Sequence, residues 1–269
     1  MSPLASLPAA ADLDLVVFDM AGTIVDHGCF APILAFQRAF ASRGVDLTIA
    51  QARGPMGLGK LDHIRALLAL DEVRQRFGEV HGRPPEDADA RELYDAFLPL
   101  QTDHAVERAL AIEGAAEAHR VLRSAGARIA WTTGYPRVVT DPLLAPLAGQ
   151  GLVPDVTLCA DEVSQGRPAP DLIRGCMERL DVTDPARVVK CGDTRPDMEA
   201  ARAAGVAGVG VVDTGSELGL EPEALAAMGA RELGDARERV RTALHEAGAT
   251  ACIGAARELP ALLGLDADA

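Results

Sequence analysis

Lysine is almost absent from this 269-residue chain, with Lys60 and Lys190 the only two. Aromatic residues make up just 3%, so aliphatic side chains must fill the core. Positive charge is also short: 26 Lys+Arg against 40 Asp+Glu leave a formal charge of −14. Such a field repels phosphate backbones and anionic lipid, which excludes nucleic acid and membrane surfaces as partners. It leaves room for a small anionic substrate, because a few cations focused in a pocket outweigh the charge of the whole molecule. The five cysteines, Cys29, Cys159, Cys176, Cys191 and Cys252, are odd in number and contain no C-x-x-C pair. That excludes a disulfide framework and a cysteine-rich zinc site, and points to a reducing, cytoplasmic setting. Residues Met1 to Ala11 show no basic leader region, and no run reaches about 18 uninterrupted apolar residues, so no export or membrane signal is expected.

What remains is ordinary globular material, 48% hydrophobic and 25% charged, enough for one or two domains at roughly 150 residues each. Short β-type runs recur at Leu13–Asp19, Arg128–Gly134, Val156–Ala160, Val188–Asp193 and Val206–Val212. Helical patterns such as Glu113–Ala125 and Asp171–Leu180 lie between most of them, and this alternation predicts an α/β fold with a doubly wound parallel sheet. Ligands in such sheets sit beyond the carboxyl ends of the strands, where Asp19, Thr132, Thr133 and Asp193 fall. The interval from Pro32 to Ala105 breaks the rhythm. It offers helices at Ile33–Arg43, Asp62–Ala69 and Ala90–Leu100 but no strand, and reads as a helical insertion after the first strand. Within it Phe77–Asp89, polar and containing two prolines and two glycines, is expected to connect helices.

Val16-Val17-Phe18-Asp19-Met20-Ala21-Gly22-Thr23 is the strongest local signal: a hydrophobic strand delivering a carboxylate, then a glycine turn and a hydroxyl. A carboxylate presented there attacks phosphorus once a cation offsets the repulsion between two anions. Gly192-Asp193-Thr194-Arg195-Pro196-Asp197 follows another hydrophobic strand, and its two carboxylates are spaced to converge on a hard divalent ion, Mg²⁺ being the natural candidate. Thr132-Thr133-Gly134 adds hydroxyl donors, and Arg167 in Gln165-Gly166-Arg167-Pro168 adds a countercharge. Taken singly, each of these also reads as a turn, cap or loop residue. Gly54-Pro55-Met56-Gly57-Leu58-Gly59-Lys60 fits G-x-x-x-x-G-K, but Leu61 stands where a nucleotide-binding P-loop needs Ser or Thr, and no strand precedes it. Lys60 instead opens the helical run Leu61–Leu70, where the positive helix end and desolvation should lower its pKa. His63, three residues on, projects near the same helix face and would suit a proton shuttle, or is an exposed helix histidine.

The order D-x-A-G-T, T-T-G, a basic residue ahead of a helix, then G-D-x-x-x-D resembles the haloacid dehalogenase superfamily. The strings FDMAGTIVDHGCFAP, RGPMGLGKLDHIRALL, TTGY, GRPAP, GDTRPDM, GSELGL and AGAT are similar to its phosphonatase branch, over nearly the whole chain. The resemblance implies a core of residues 1–28 and 106–269, a helical cap of residues 29–105, and a homodimer through the cap. It implies cleavage of the C–P bond of phosphonoacetaldehyde to acetaldehyde and phosphate, with Lys60 forming a Schiff base and Asp19 an aspartyl-phosphate. Mg²⁺ would be held by Asp19, the Ala21 backbone carbonyl and Asp193, with Asp197 in support. Thr133, Gly134 and Arg167 would bind the phosphonyl group, and Cys29, Met56, His63 and Tyr135 would surround the imine, each of Cys29, Met56 and Tyr135 reading equally as packing. Phosphatases of the superfamily carry a general acid two residues after the nucleophile; here that position is Ala21. A carbon leaving group needs an electron sink rather than a proton, and an iminium supplies one. Hydrolysis of another phosphonate or of a phosphate ester, and a non-catalytic binding protein on the same scaffold, are the rival expectations.

Overall fold

A computed structural model describes residues 4–265. Its centre is a six-stranded, wholly parallel sheet in the order β3-β2-β1-β4-β5-β6. β1 spans Leu15–Asp19. An inserted block of five helices follows: α1 (Ala31–Ala41), α2 (Ile49–Arg53), α3 (Lys60–Ala69), α4 (Asp71–His81) and α5 (Asp87–Glu107). The remainder alternates as α6 (Ala115–Ser124), β2 (Arg128–Thr133), α7 (Arg137–Ala148), β3 (Val156–Cys159), α8 (Asp171–Arg179), β4 (Val188–Gly192), α9 (Arg195–Ala204) and β5 (Ala207–Val211). It closes with α10 (Pro222–Ala227), α11 (Ala230–Ala247), β6 (Ala251–Ile253) and α12 (Leu259–Leu262). The doubly wound expectation holds, and strand direction of travel reverses between β1 and β4, the switch point at which such sheets bind ligands.

Burial explains the placement. Every residue of β1 is buried, as a central strand covered on both faces requires. Val16, Phe18, Ile129 and Trp131 join the apolar cluster on one face, and Leu15, Val17 and Ala130 join that on the other, following the two-residue alternation of a strand. The five inserted helices have a cluster of their own, in which Phe36, Phe40, Phe77, Leu93 and Phe97 are buried. Phe36 and Phe97 stack at 4.3 Å between ring centroids. Most of the few phenylalanines therefore sit in this block, while the sheet is packed with aliphatic side chains.

The structure corrects the reading of Phe77–Asp89 as a connector. Phe77 to His81 are the last turn of α4, which buries Val73 and Phe77 one turn apart and stops at Gly82, in the left-handed region at φ +71°. Two apolar residues on one face are enough to seat a helix whose other positions are polar. α5 is also longer than the expected Ala90–Leu100, running to Glu107 through Pro99. α2, α11 and the three-residue β6 were not anticipated from the periodicity. Among the described residues no helix is long and apolar enough to cross a membrane.

Phe97 is fully buried and packs against Phe36. Phe97→Ala should therefore lower the free energy of unfolding by about 3–5 kcal/mol, the cost of a large core truncation, measured by urea denaturation.

Candidate active site

Asp19 ends β1 in register with Thr132 of β2, so the sheet itself holds a carboxylate beside a hydroxyl at its carboxyl edge. The chain then turns sharply. Gly22 sits at φ +84°, and a Cβ there would lie 2.5 Å from an Asp193 carboxylate oxygen. Glycine is needed at this position both for the left-handed conformation and to admit Asp193. Oxygens of Asp19, Asp193 and Asp197, all buried, lie within 4.8 Å of one another.

Cations and short donors hold this cluster together. Arg167 Nη1 donates to Asp19 Oδ1 at 2.8 Å and to Asp197 Oδ1 at 2.6 Å. Lys190 Nζ lies 3.0 Å from Asp197 Oδ1 and 3.0 Å from Thr132 Oγ1. The Thr194 hydroxyl donates to Asp197 Oδ2 at 2.5 Å, and Thr194 and Asp197 together cap the start of α9. Burial opposes the ionised form of Asp197, but Arg167 and Lys190 outweigh it and hold the carboxyl well below the usual range. Asp193 has no such cation. Its oxygens accept from the Ser216 amide at 2.7 Å and from Thr23 Oγ1 at 3.3 Å, and burial, with Asp19 and Asp197 adding like charge, pushes it up to about 8. Burial raises Asp19 as well, against the pull of Arg167.

An all-oxygen set whose protonation equilibria are displaced by like charge is what a hard divalent cation relieves. Asp19 and Asp193 fit as its donors. Asp197 stands apart from them in one respect: its oxygens are engaged by Arg167, Lys190 and Thr194, so it supports the cluster rather than offering a free ligand. Ala21 is buried beside them and brings no side-chain acid.

The phosphonyl-side candidates also meet here. Thr133 Oγ1 accepts from the Tyr135 amide at 3.0 Å, leaving its own proton to donate. Arg167 Nε is buried and without a hydrogen-bond partner among the described residues. Gly134 brings the Arg167 guanidinium and the Leu58 carbonyl of the helical block close to the strand end.

From that block comes Lys60, the first residue of α3 and 6% exposed, so it is not a solvated surface lysine. Its ammonium lies 5.4 Å from the Tyr135 ring centroid and 5.7 Å from that of Phe36. Burial, reinforced by the charge of Arg167, lowers its pKa to about 8. It lines a small cavity of about 150 Å³ together with Gly59, Tyr94, Gly134, Pro136 and Asp161, from both block and core. A roomier cavity of about 860 Å³, walled by Asp26, Arg108, Glu221 and Arg237, contains none of the acidic cluster.

His63 is fully buried, which rules out the exposed-histidine alternative. It stacks on Phe36 at 4.0 Å, its Nε2 meets the Ala52 carbonyl at 2.9 Å, and Nδ1 has no partner among the described residues. Burial and the Lys60 charge hold its pKa well below the ordinary value, so the ring is neutral. Cys29 is buried at φ +53° and remains a thiol, burial and neighbouring Asp26 raising its pKa. Met56, half-buried, packs against the block cluster and the sheet cluster alike. Tyr135 is buried with its hydroxyl unpaired among the described residues, as are both amide atoms of Gln101 nearby on α5.

Several participants were not singled out as site residues from the sequence. Lys190 was noted only for its rarity, and Asp26, Arg53, Gln101 and Ser216 carried no local signal. The nearest hint was Asp26 five residues ahead of an Ala-Pro helix start, where it accepts from the amides of Phe30 and Ala31.

A parallel sheet with a strand-end aspartate, a second acidic turn at the switch point and a block of helices inserted after β1 define an α/β hydrolase. The model of the haloacid dehalogenase-like hydrolases matches residues 13–205. A phosphonoacetaldehyde hydrolase of Bacillus cereus is 39% identical over 247 residues, 92% of this chain and 94% of its own. One from Bordetella pertussis is 38% identical over 260 residues, 97% of this chain and 94% of its own. The crystal structure of a phosphonoacetaldehyde hydrolase-like protein from Oleispira antarctica superposes with a TM-score of 0.92 at 31% identity, covering 98% of this chain and 96% of that one. The chain belongs to the haloacid dehalogenase-like hydrolases and, within them, to the phosphonoacetaldehyde hydrolase family.

Removing Asp197 strands the buried Lys190 and leaves Arg167 with Asp19 alone, whereas Asp193 faces neutral donors. Asp197→Ala should therefore cost about 3–5 kcal/mol of stability, while Asp193→Asn in metal-free buffer should leave the unfolding midpoint unchanged or raise it. Denaturant unfolding of the two variants checks the contrast.

Proposed function

We propose that this chain hydrolyses the C–P bond of phosphonoacetaldehyde, giving acetaldehyde and inorganic phosphate. The observation that carries the reading is the state of Lys60: a buried amine with its pKa brought down to about 8, free of any carboxylate pairing among the described residues, and borne on the block that faces the acidic strand ends. Lys190, the other lysine, is tied to Asp197 and Thr132 and is the poorer nucleophile.

In this reading the neutral amine of Lys60 adds to the aldehyde carbon, and loss of water leaves an iminium. The Arg167 guanidinium and the Thr133 hydroxyl orient the phosphonyl oxygens by charge-assisted hydrogen bonds. Asp19 attacks phosphorus; the C–P bond breaks, and its electron pair passes into the iminium to give an enamine on Lys60 and an acyl phosphate on Asp19. No proton is delivered to the leaving group in that step, which suits Ala21 at the position two residues after Asp19. Protonation of the enamine carbon restores an iminium, one water releases acetaldehyde from Lys60, and a second frees phosphate from Asp19. With one water lost at imine formation, the net consumption is a single water.

Asp19, the Ala21 carbonyl and Asp193 would hold Mg²⁺, with Asp197 in support. Bound there, the ion supplies positive charge that offsets the repulsion between Asp19 and the phosphonyl group. We read residues 29–105 as a cap domain whose seating brings Lys60 to the core and excludes water. His63, neutral beside Lys60, serves as an acceptor through Nδ1 rather than as a cationic acid. Cys29, Met56 and Tyr135 shape the pocket around the amine.

Acetaldehyde and phosphate should appear in equal amounts from phosphonoacetaldehyde and Mg²⁺. Lys60→Ala should lower that rate by ~10³-fold or more, the order of loss for a removed covalent nucleophile. Phosphate release without acetaldehyde, or activity surviving in Lys60→Ala, would move the assignment to another phosphonate or a phosphate ester. Borohydride added with substrate should attach a reduced adduct to Lys60 and not to Lys190, read by peptide mass spectrometry. Because the attacking form of Lys60 is the deprotonated amine and its pKa is about 8, the trapping rate should rise with pH from 6 to a plateau above about 8; a flat profile would contradict the role.

A further inference from the structure

Arg53, at the end of α2, reaches out of the helical block into the core. Its Nη1 donates to the carbonyls of Gly28 at 2.7 Å and Ser216 at 3.1 Å, and its guanidinium lies 4.9 Å from the Phe30 ring centroid. Gly219, at φ +64°, forms the floor: a Cβ there would stand 2.6 Å from Arg53 Cζ, so any side chain would displace the guanidinium. The two carbonyls belong to different loops, one the crossing from β1 into the block, the other the GSELGL segment, Gly215 to Leu220, that follows β5.

The other end of the block arrives at the same place. Arg108, just past α5, pairs with Asp26 and, at 2.9 Å, with Glu221, and lies 5.3 Å from the same Phe30 ring. His27 Nδ1 meets the Leu220 carbonyl at 2.9 Å. Both crossings between core and block are thus gathered with the GSELGL segment around Phe30. Ser216 is the hinge point of this arrangement, for its carbonyl is held by Arg53 and its amide donates to Asp193 Oδ2 at 2.7 Å. Arg53 Nη2 is buried with no partner among the described residues, a cost that a purely structural staple would not need to bear.

We propose that Arg53 is a positioning residue that makes the setting of the Asp193 carboxylate depend on the seating of the helical block, with Gly215 to Leu220 as the receiving element. The block carrying the Lys60 amine therefore also sets a carboxylate of the acidic cluster, so both halves of the chemistry become competent together. The inference rests on the reading of Lys60 and the acidic cluster given above.

The test uses the full chain with Arg53→Ala, Arg53→Lys, Gly219→Ala and the double variant R53A/G219A. Groups that orient a metal ligand typically carry ~10–100-fold effects. Arg53→Ala should weaken Mn²⁺ binding, followed by electron paramagnetic resonance without substrate, by about 10-fold and lower kcat/KM by ~10–100-fold. Borohydride trapping on Lys60 should persist near the wild-type rate, which a general loosening of the fold would not allow. Arg53→Lys, whose ammonium ends one bond short of the Nη1 position, should behave like Arg53→Ala, and free guanidine should restore part of the Arg53→Ala loss. Gly219→Ala should weaken Mn²⁺ binding in the wild-type background and add little in Arg53→Ala, because the two substitutions remove the same contact. Unchanged Mn²⁺ affinity in Arg53→Ala or Arg53→Lys, additive effects in the double variant, or parallel loss of trapping and Mn²⁺ binding would overturn the coupling. If the wild type releases no acetaldehyde, the substrate reading fails while the Mn²⁺ comparison still decides the role of Arg53.

Discussion

Three carboxylates buried with oxygens within 4.8 Å of one another cannot all be ionised without compensating charge, and the rest of the site is organised around that constraint. The protein resolves it unequally. Asp197 receives Arg167, Lys190 and the Thr194 hydroxyl, and becomes a permanent anion that anchors two cations at the sheet edge. Asp193 receives neutral donors, and burial beside two like charges raises its pKa to about 8. Asp19 lies between these regimes, touched by Arg167 and crowded by both neighbours. One cluster thus separates a carboxylate held by two cations from two that are not, by partners rather than by residue type.

The two lysines divide in the same manner. Lys190 points into the cluster from β4 and pairs with Asp197. Lys60 enters from the opposite side on α3, over aromatic faces that desolvate it without neutralising it. The position at a helix start was expected to lower its pKa through the dipole as well as burial; burial is the foremost cause of the lowering, followed by the charge of Arg167. Aromatic side chains, scarce elsewhere, are concentrated where this amine needs them, with Phe36 also supporting His63 and Phe97.

Most of the core was legible because its signals are local. A buried parallel strand reads as an apolar run ending in a polar residue, and five such runs were found within a residue or two of their observed bounds. The sixth, Ala251–Ile253, is too short to carry a pattern. In the helical block the period is diluted by polar positions, so the last turn of α4, Phe77 to His81, was taken for part of a connector although Val73 and Phe77 suffice to bury the helix. Asp19, Lys60, Arg167 and Asp193 were singled out as candidates through motif spacing and family resemblance. Asp26, Arg53 and Ser216 were not, because each makes its contact between segments far apart in sequence, and no window of residues around Arg53 or Ser216 contains the other.

By itself the sequence determined the class of sheet, the strand ends that bear carboxylates, the inserted helices and the rarity of lysine that singles out Lys60. Those follow from periodicity, composition and spacing, which are properties of neighbouring residues. Only the tertiary structure decided which carboxylate is charged, which lysine is free, that His63 is buried and neutral, and that Arg53 clasps the segment orienting Asp193. Protonation and pairing depend on burial and on charges a few ångströms away in space, and here those charges come from strands, loops and helices more than a hundred residues apart along the chain.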